Sequence, residues 1–372
     1  MAVNTRPISA GQAYDVLLQG FRTQGAGGMT ASWMLHGRPG IGKTEIVQAV
    51  ADATGATLFD LRLTTIEPQD LRGLPTYDHA TRRTVWHRPE DLPDDPQHPS
   101  ILFLDELTSA APMLQPTVYG LLQERRVGRH RLPDSTFIVA AGNGVEDGAV
   151  AYDMGTALSD RLIHVLVRAT ATDWVDRYAL PHALHPAVIA FIRTSPDLLE
   201  TTETAIRRGE TIACTPRSWA RVSTILTAIP DRTLRNIMVA GTVGEAAAAE
   251  FALVADDIAA TVQIAAMLQA TPNARLPMYP PTMHGLTALV YGLVTTADQG
   301  TLPAAIEIMA EIRHLSRLRD DPVFARLPLA ELCTHGFEML IRRALDRGWQ
   351  AAFLTSPTYA TYAAERRAAG LE

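Results

Sequence analysis

The sequence of 372 residues has little cysteine, few aromatic side chains and almost no lysine. Its two cysteines, Cys214 and Cys333, lie far apart without a CxxC pair, so the sequence indicates neither a disulfide framework nor a zinc site. Aromatic residues make up only 6%, and alanine-rich runs such as Glu245–Glu250 favour helix. A net charge of −7 argues against a general nucleic-acid binder, although it allows a local basic patch.

Signals for export or membrane insertion are also missing from the pattern of the sequence. The N-terminus has no basic–apolar–small signal pattern, and we expect no apolar run that approaches the span of a bilayer. A hydrophobic content of 47% with 20% charged residues is typical of a soluble globular protein. We therefore expect a cytoplasmic protein of two or three domains that does not use a membrane.

The one lysine, Lys43, lies in the segment Gly37–Thr44, which has the pattern G-x-x-x-x-G-K-[ST] of the phosphate-binding P-loop. Glycines let backbone N–H groups surround phosphates, a compact ammonium reaches the β and γ oxygens, and the hydroxyl of Thr44 can coordinate Mg²⁺. A planar guanidinium is too wide for that position. The alternative is a glycine-rich turn that opens an ordinary helix. We predict that nucleotide is bound by Gly37, Arg38, Pro39, Gly40, Ile41, Gly42, Lys43, Thr44 and Glu45.

Apolar strand-like runs alternate with helical spacing through the first 170 residues. This alternation predicts an α/β fold, a doubly wound parallel sheet with its ligand at the carboxyl ends of the strands. Beyond residue 170 the strand runs disappear and helical periodicity takes over. We predict strands at Ser32–His36, Leu58–Leu63, Ile101–Leu104 and Phe137–Ala141, helices near Ala10–Arg22, Lys43–Ala53 and Pro112–Glu124, a flexible link at Gly25–Gly28, and hairpins at Thr76–His87 and Arg126–Leu132.

Polar residues follow two of the predicted strands directly. The apolar strand that ends at Leu104 runs into Asp105 and Glu106, which is the Walker B arrangement. Asp105 would hold Mg²⁺ through water, and Glu106 would polarise the water that attacks the γ-phosphate. Asn143 follows the next strand and can hold that water, but Asn143-Gly144 is also a common turn dipeptide.

Five motifs, in this order and spacing, resemble those of AAA+ ATPases, and more narrowly the MoxR group of the helix-2-insert clade. The resemblance covers about residues 10–250. The sequence departs from many MoxR proteins around Asn143, since Gly142-Asn143-Gly144 lacks the preceding Thr-Gln and the following Pro. The motifs are Gly37–Thr44, Leu104-Asp105-Glu106, Asn143, Ala157–Leu162 and Thr215–Trp219.

The resemblance implies roles for two arginines. Arg161 matches the arginine finger that reaches the γ-phosphate of a neighbouring subunit, and Arg217 matches the sensor 2 arginine that contacts nucleotide in cis. A guanidinium is suited to neutralising charge spread over phosphate oxygens. By itself Arg161 could be an exposed helix-terminal arginine. Arg217 could simply follow a helix start, with Thr215 as cap and Pro216 in the first turn.

Two hairpins carry the densest basic stretches of this acidic chain. Arg82, Arg83, His87 and Arg88 cluster on the first, and Arg125, Arg126, Arg129, His130 and Arg131 lie on or beside the second. The resemblance places these inserts at the face and pore of a ring, where a basic rim would attract an acidic partner or nucleic acid. The alternative is a set of solvated hairpin arginines.

We therefore expect a ring-forming ATPase, a homo-hexamer by resemblance, that couples hydrolysis of ATP·Mg²⁺ to the remodelling of a partner protein. The resemblance names a von Willebrand A domain protein as the common partner. Two alternatives stay open: a nucleic-acid motor, which the acidic charge disfavours, and an assembly scaffold without turnover. The expected domains are residues 1–170 (α/β, with an insert at about 64–100), 171–262 (helical lid with sensor 2) and 263–372 (C-terminal, all helical).

Overall fold

The structure is a computed structural model that describes residues 3–27, 30–144, 158–319, 321–368 and 370. Strands and helices alternate in its N-terminal half as the apolar pattern predicts. The strands are β1 (Ser32–His36), β2 (Thr57–Arg62), β3 (Pro75–Asp78), β4 (Arg83–Trp86), β5 (Ser100–Asp105), β6 (Arg126–Val127), β7 (His130–Arg131), β8 (Thr136–Gly142) and β9 (Leu162–Leu166). The helices between them are α1 (Ala10–Gly27), α2 (Lys43–Thr54), α3 (Pro68–Arg72) and α4 (Gln115–Tyr119), which continues as a π-helical turn over Gly120–Glu124.

Five parallel strands form the main sheet in the order β2-β5-β8-β1-β9. The central strands β5 and β8 are buried along their whole length, as expected for a parallel sheet covered on both faces. One buried cluster, which includes Leu104 and Leu121, covers one face, and a second cluster that includes Val47 and Phe137 covers the other. The predicted α/β fold with a parallel sheet is confirmed.

Relative to the predicted elements, the structure adds the short helix α3 and the strand β9, and it lengthens α1. The strand β9 was not predicted, although the run Leu162–Leu166 is mostly apolar and pairs with β1 in parallel register from Ser32↔Leu162 to His36↔Leu166. Helix α1 extends to Gly27, so the expectation of a flexible link over Gly25–Gly28 is wrong for its first three residues. Packing of the helix, with Phe21 edge-on to Phe137 at 5.6 Å between ring centroids, outweighs the low helix propensity of glycine.

The rest of the described chain is helical. It contains α5 (Ala171–Trp174), α6 (Pro186–Thr194), α7 (Thr202–Arg208), α8 (Pro216–Ala228), α9 (Arg232–Val243), α10 (Glu245–Thr261), α11 (Ile264–Gln269), α12 (Pro272–Arg275), α13 (Met283–Thr296), α14 (Leu302–Arg313), α15 (Leu315–Leu318), α16 (Leu329–Arg347), α17 (Ala351–Leu354) and α18 (Pro357–Ala368). A π-helical turn spans Val175–Ala179. This is the helical region that the periodicity predicts after residue 170.

By internal contacts the chain divides into two compact units. The first comprises Met1–Trp174 and Leu199–Ser218, and the second comprises Val175–Leu198 and Trp219–Glu372. Arg217, the predicted sensor 2 residue, therefore belongs with the sheet in the first unit, whereas Trp219 belongs to the second. The finer division at residues 170 and 262 stays a prediction.

One stretch, Glu245–Gln269, is long and apolar enough to cross a membrane by length and composition, with a mean hydropathy of 1.6. The expectation that no apolar run approaches the span of a bilayer is wrong for this stretch. Its helix is interrupted, because α10 ends at Thr261 and α11 begins at Ile264. A single stretch of this kind is weak evidence for a membrane span.

Candidate nucleotide site

The P-loop connects the end of β1 to the start of α2. Gly40 and Gly42 have φ angles of 77° and 99°, which a residue with a Cβ adopts rarely. At Gly37 a Cβ would lie 2.3 Å from Ile41 Cδ1 and 2.8 Å from the carbonyl oxygen of Val167. The sequence therefore folds here into a tight turn whose backbone opens at a helix N-terminus, a site suited to anions.

Lys43 is the first residue of α2, and its ammonium is turned back into the loop. The Nζ atom donates to the carbonyl oxygens of Gly37 at 2.6 Å and Arg38 at 3.1 Å, and to Oδ1 of Asn143 at 2.8 Å. The last contact joins the P-loop to the end of β8. The structure thus brings together two predicted site residues that are 100 positions apart in the chain.

Thr44 and Asp105 form the second pair at this edge of the sheet. The Thr44 hydroxyl lies 3.5 Å from Oδ2 of Asp105, whose side chain is buried at the end of β5. Burial, together with the nearby charge of Asp105, raises the pKa of Asp60 on the adjacent strand β2. A bound cation would relieve this accumulation of negative charge. The hydroxyl and carboxylate oxygens are ligands that fit a hydrated Mg²⁺.

Glu106 occupies the left-handed region of backbone space, with φ of 60°. This conformation costs about 1 kcal/mol or more for a residue with a Cβ. Its carboxylate accepts a short hydrogen bond from the hydroxyl of Thr64, just beyond the end of β2. Sequence reasoning missed Thr64, because no motif marks a threonine at this position. Its place after a strand that pairs with β5 is the one available signal.

Asn143 is fixed at the end of β8 by a second threonine that sequence reasoning missed. The backbone N–H of Asn143 donates to the Thr108 hydroxyl at 3.0 Å, and that hydroxyl lies 3.0 Å from the Asn143 carbonyl oxygen. At the preceding Gly142, a Cβ would lie 2.6 Å from the side chain of Thr108. These contacts fix the backbone of Asn143, whose side-chain oxygen accepts from Lys43.

The segment Leu199–Ser218 packs against the P-loop within the first unit. The backbone N–H of Arg217 donates to the Gly40 carbonyl oxygen at 3.2 Å, and a Cβ at Gly40 would lie 2.9 Å from the Thr215 hydroxyl. Arg38 forms ion pairs with Glu200 and with Glu203, the latter at 3.0 Å. The Arg38 side chain therefore points to this segment.

The start of α8 has the form that the sequence predicts. The Thr215 hydroxyl accepts from the N–H of Ser218 at 3.1 Å, and Pro216 is the first helical residue. Arg217 itself is exposed. Its backbone lies beside the P-loop.

Arg161 lies elsewhere. It is exposed in a turn just before β9, where its N–H donates to the Leu158 carbonyl oxygen at 3.1 Å. Since β9 runs parallel to β1 and Leu162 pairs with Ser32, Arg161 is next to the start of β1, whereas the P-loop follows its end. The start and the end of β1 are separated by four residues of strand, about 13 Å. Ala157, the first residue of the motif around Arg161, lies outside the described residues.

Part of the chain is similar to a known protein family. Residues 32–162, from β1 to the start of β9, match the family profile described as AAA domain (dynein-related subfamily). The chain contains an AAA domain.

Relatives of the AAA domain are similar over a limited length. The mouse ATPase family gene 2 protein homolog B is 34% identical over 105 residues, which are 28% of this chain and 12% of that protein. Protein CdcH of Halobacterium salinarum is 35% identical over 96 residues, 26% of this chain and 12% of that protein. The solved structure of a RuvB mutant from Thermotoga maritima is 14% identical, with coverage of 71% and 79% of the two chains. The TM-score of this comparison is low, at 0.34.

The two hairpins of the AAA domain lie next to each other. Arg88, after β4, donates to the carbonyl oxygen of Arg131 on β7 at 3.1 Å and also bonds the Pro93 carbonyl. Arg125 bonds the carbonyl oxygens of Pro133 and Thr136. Arg88 and Arg125 are therefore structural, and burial lowers the pKa of Arg125. We define the exposed arginine set by the five exposed guanidinium groups that remain: Arg82, Arg83, Arg126, Arg129 and Arg131.

Proposed function

We propose that this chain is a MoxR-like AAA+ ATPase that assembles into a ring and couples hydrolysis of ATP·Mg²⁺ to the remodelling of a partner protein. One observation carries the proposal. Lys43, the Thr44–Asp105 pair, Glu106 and Asn143 converge at the carboxyl edge of the sheet, at the end of the strands β1, β5 and β8. Ligands of open α/β sheets bind at this edge.

The residues at this edge fit ATP and Mg²⁺. The backbone N–H groups of Gly37–Thr44 would surround the phosphates, and Lys43 would exchange its carbonyl partners for β and γ oxygens. Thr44 and Asp105 would hold Mg²⁺, which would neutralise charge on the phosphate oxygens.

Two further residues would act on the attacking water. Glu106 would take its proton, and Asn143 would orient it toward the γ-phosphate. Arg217 would approach the same phosphates in cis from the start of α8, since its backbone already bonds the loop at Gly40.

The position of Arg161 supports the proposed ring. It is exposed at the sheet edge opposite to the P-loop, so it is far from the site of its own subunit and accessible to a neighbour. A guanidinium supplied in trans stabilises charge that develops on the transferred phosphoryl group. We propose a closed homo-hexamer, in which each Arg161 completes the site of the next subunit.

A protein partner fits the hairpin surface better than nucleic acid does. The exposed arginine set lies on and around the same two hairpins as Leu74 and Val85, which are 71% and 41% exposed. A surface that combines cations with apolar side chains complements an acidic protein segment with its own apolar residues. A von Willebrand A domain protein in the cytoplasm is the partner that we propose for this chaperone-like activity.

The test mixes two inactive variants. In Arg161→Ala the site is intact and the finger is absent, whereas Lys43→Ala keeps the finger and loses the site. Each variant alone should release little phosphate, and the mixture should recover part of the wild-type rate. Wild-type hydrolysis per subunit should also rise with protein concentration. No recovery, with mixed rings confirmed by native mass spectrometry, would contradict a finger that acts in trans. A wild type that binds ATP without release of phosphate would instead indicate a scaffold.

The adjacency of the two basic hairpins also favours a second candidate, a nucleic-acid motor. Binding to phosphates would weaken steeply with salt, because it releases condensed counterions. The test titrates single- and double-stranded DNA and RNA against two proteins, the wild type and the variant in which the exposed arginine set is reversed to Glu. Tight, salt-dependent binding that the reversal abolishes would replace the protein partner with nucleic acid.

A further inference from the structure

Two histidines lie between the P-loop edge of the sheet and the Arg161 turn. His36 is the last residue of β1, directly before the P-loop, and is 6% exposed. His164 is in the middle of β9. Their rings stack with centroids 5.0 Å apart, and His36 Nε2 lies 2.7 Å from His164 Nδ1. The second nitrogen of His164, Nε2, lies 2.8 Å from the carbonyl oxygen of Ser159.

The direction of these hydrogen bonds follows from the last partner. A carbonyl oxygen can only accept, so His164 Nε2 carries a proton and donates to Ser159. In a neutral imidazole the other nitrogen then accepts, so His164 Nδ1 receives the hydrogen bond that His36 Nε2 donates. These two hydrogen bonds therefore connect the end of β1, through His164, to the backbone of the Arg161 turn.

The environment of His36 keeps its own imidazole neutral at pH 7. Burial, the neighbouring His164 and the charge of Lys43 together lower the pKa of His36 to about 4. A neutral imidazole at His36 can donate a hydrogen bond from Nε2 to His164. In the interior such bonds are also stronger than in water.

The turn lies between two buried leucines. Leu158 and Leu162 on either side are buried in the core, and they anchor its ends. Asp160 and Arg161 between them are exposed. The Ser159 carbonyl is where the His36–His164 chain meets this turn, two residues before the guanidinium.

We propose that His164, oriented by His36, is a positioning residue for the arginine finger: it fixes the Ser159–Arg161 turn so that Arg161 reaches the nucleotide of the neighbouring subunit. The inference rests on the proposed function, since it assumes that Arg161 acts in trans. It assigns to the pair a role in the site of the neighbour, although His36 adjoins the P-loop of its own subunit. A displacement of about 1 Å can lower a rate by about a hundredfold.

Complementation separates this role from a general effect on folding. A Lys43→Ala subunit, called the donor, supplies only its finger, because its own site is inactive. An Arg161→Ala subunit, called the acceptor, contributes only its site. A change at His164 is placed first on the donor and then, as the matched control, on the acceptor. We expect His164→Asn on the donor to lower the recovered phosphate release about tenfold or more, and the same change on the acceptor to leave it within about twofold.

Two amides distinguish the two hydrogen bonds of His164. Asparagine can place its oxygen near the position of Nδ1 and accept from His36, but it does not reach Ser159. Glutamine can place its amide nitrogen near Nε2 and donate to the Ser159 carbonyl. On the donor, His164→Gln should therefore retain most of the recovery that His164→Asn loses. His36→Leu on the donor should lower recovery as well, and His36→Gln, which keeps a donor toward His164, should restore it.

The melting temperature and mixed-ring mass of each variant check that it folds and assembles. Equal recovery with His164→Asn and with the unmodified donor, or an equal loss on donor and acceptor, would overturn the positioning role while leaving the proposed function intact. No recovery in the parent mixture would overturn the trans finger itself, and the role of His164 with it. Should His164→Asn not fold, the comparison of His36→Leu with His36→Gln decides the same question.

Discussion

The strand-end site and the hairpin surface use positive charge in opposite ways. At the strand ends one ammonium, Lys43, is surrounded by three oxygen acceptors of its own chain. On the hairpins, Arg82, Arg83 and Arg129 are exposed and form no ion pair with the residues that the structure describes. The contrast predicts that the shape of the cation matters at the first region, whereas its charge matters at the second.

The largest effect should come from a change of shape without a change of charge. Lys43→Arg should abolish nucleotide binding or turnover, with hydrolysis reduced at least about a hundredfold, because a guanidinium does not fit between the loop carbonyls and Asn143. The matched control is the reverse exchange on the hairpins, Arg129→Lys, which should leave hydrolysis unchanged. Phosphate release and binding of a fluorescent ATP analogue measure both variants. Near wild-type hydrolysis by Lys43→Arg would remove the distinction between the two regions.

Glu106→Gln should lower hydrolysis about a hundredfold while ATP still binds, because it removes the base and leaves Thr44 and Asp105 in place. The bound state should accumulate and favour assembled rings, which native mass spectrometry detects. Hydrolysis at the parent rate would mean that another residue activates the water.

A smaller effect should follow from loss of the Thr64 hydroxyl. Thr64→Val frees the Glu106 carboxylate from its hydrogen bond, so basal hydrolysis should rise about fivefold, the equivalent of roughly 1 kcal/mol. The neighbouring Thr65 offers a matched control, since its hydroxyl donates to the Arg62 carbonyl and does not reach Glu106. Thr65→Val should leave the rate unchanged. A fall in the rate of Thr64→Val would mean that Thr64 helps Glu106 rather than restrains it.

Reversal of the exposed arginine set to Glu should have the smallest effect on hydrolysis, within about twofold, because none of these five side chains belongs to the proposed nucleotide site. Partner binding should weaken strongly at low salt and less at high salt, since exposed charges are screened beyond roughly 8–10 Å. A titration against the partner at two salt concentrations measures this. Equal charge reversal at five exposed arginines of the second unit is the control: Arg317, Arg326, Arg342, Arg347 and Arg367. Unchanged affinity in the hairpin variant would leave those arginines merely solvated.

The P-loop and the strand before Asp105 could be predicted from the sequence, because a short local pattern of residues determines the structure of each. The glycine spacing around Lys43 requires positive φ at Gly40 and Gly42, and the apolar run before Asp105 requires burial on both faces of a sheet. Both features can be recognised within about ten residues of chain. The ends of β1, β5 and β8 were therefore predicted to within one residue of where the structure has them.

Contacts between distant segments were not predictable in the same way. Thr64 and Thr108 reach Glu106 and Asn143 only because neighbouring strands end at one level, and threonine carries no signal of such a role. The strand β9 was missed because no motif follows it, whereas β1, which is equally short, directly precedes the P-loop. Its pairing with β1 places Arg161 at the opposite edge, which no spacing in the sequence indicates.

Phosphate release from the full chain with ATP tests the central claim, that the strand-end residues form one site for ATP·Mg²⁺. The measurement compares the wild type with and without Mg²⁺, beside Lys43→Arg. The account predicts release by the wild type that requires Mg²⁺ and is lost in the variant. Release that persists without Mg²⁺, or that is equal in the wild type and in Lys43→Arg, would contradict it.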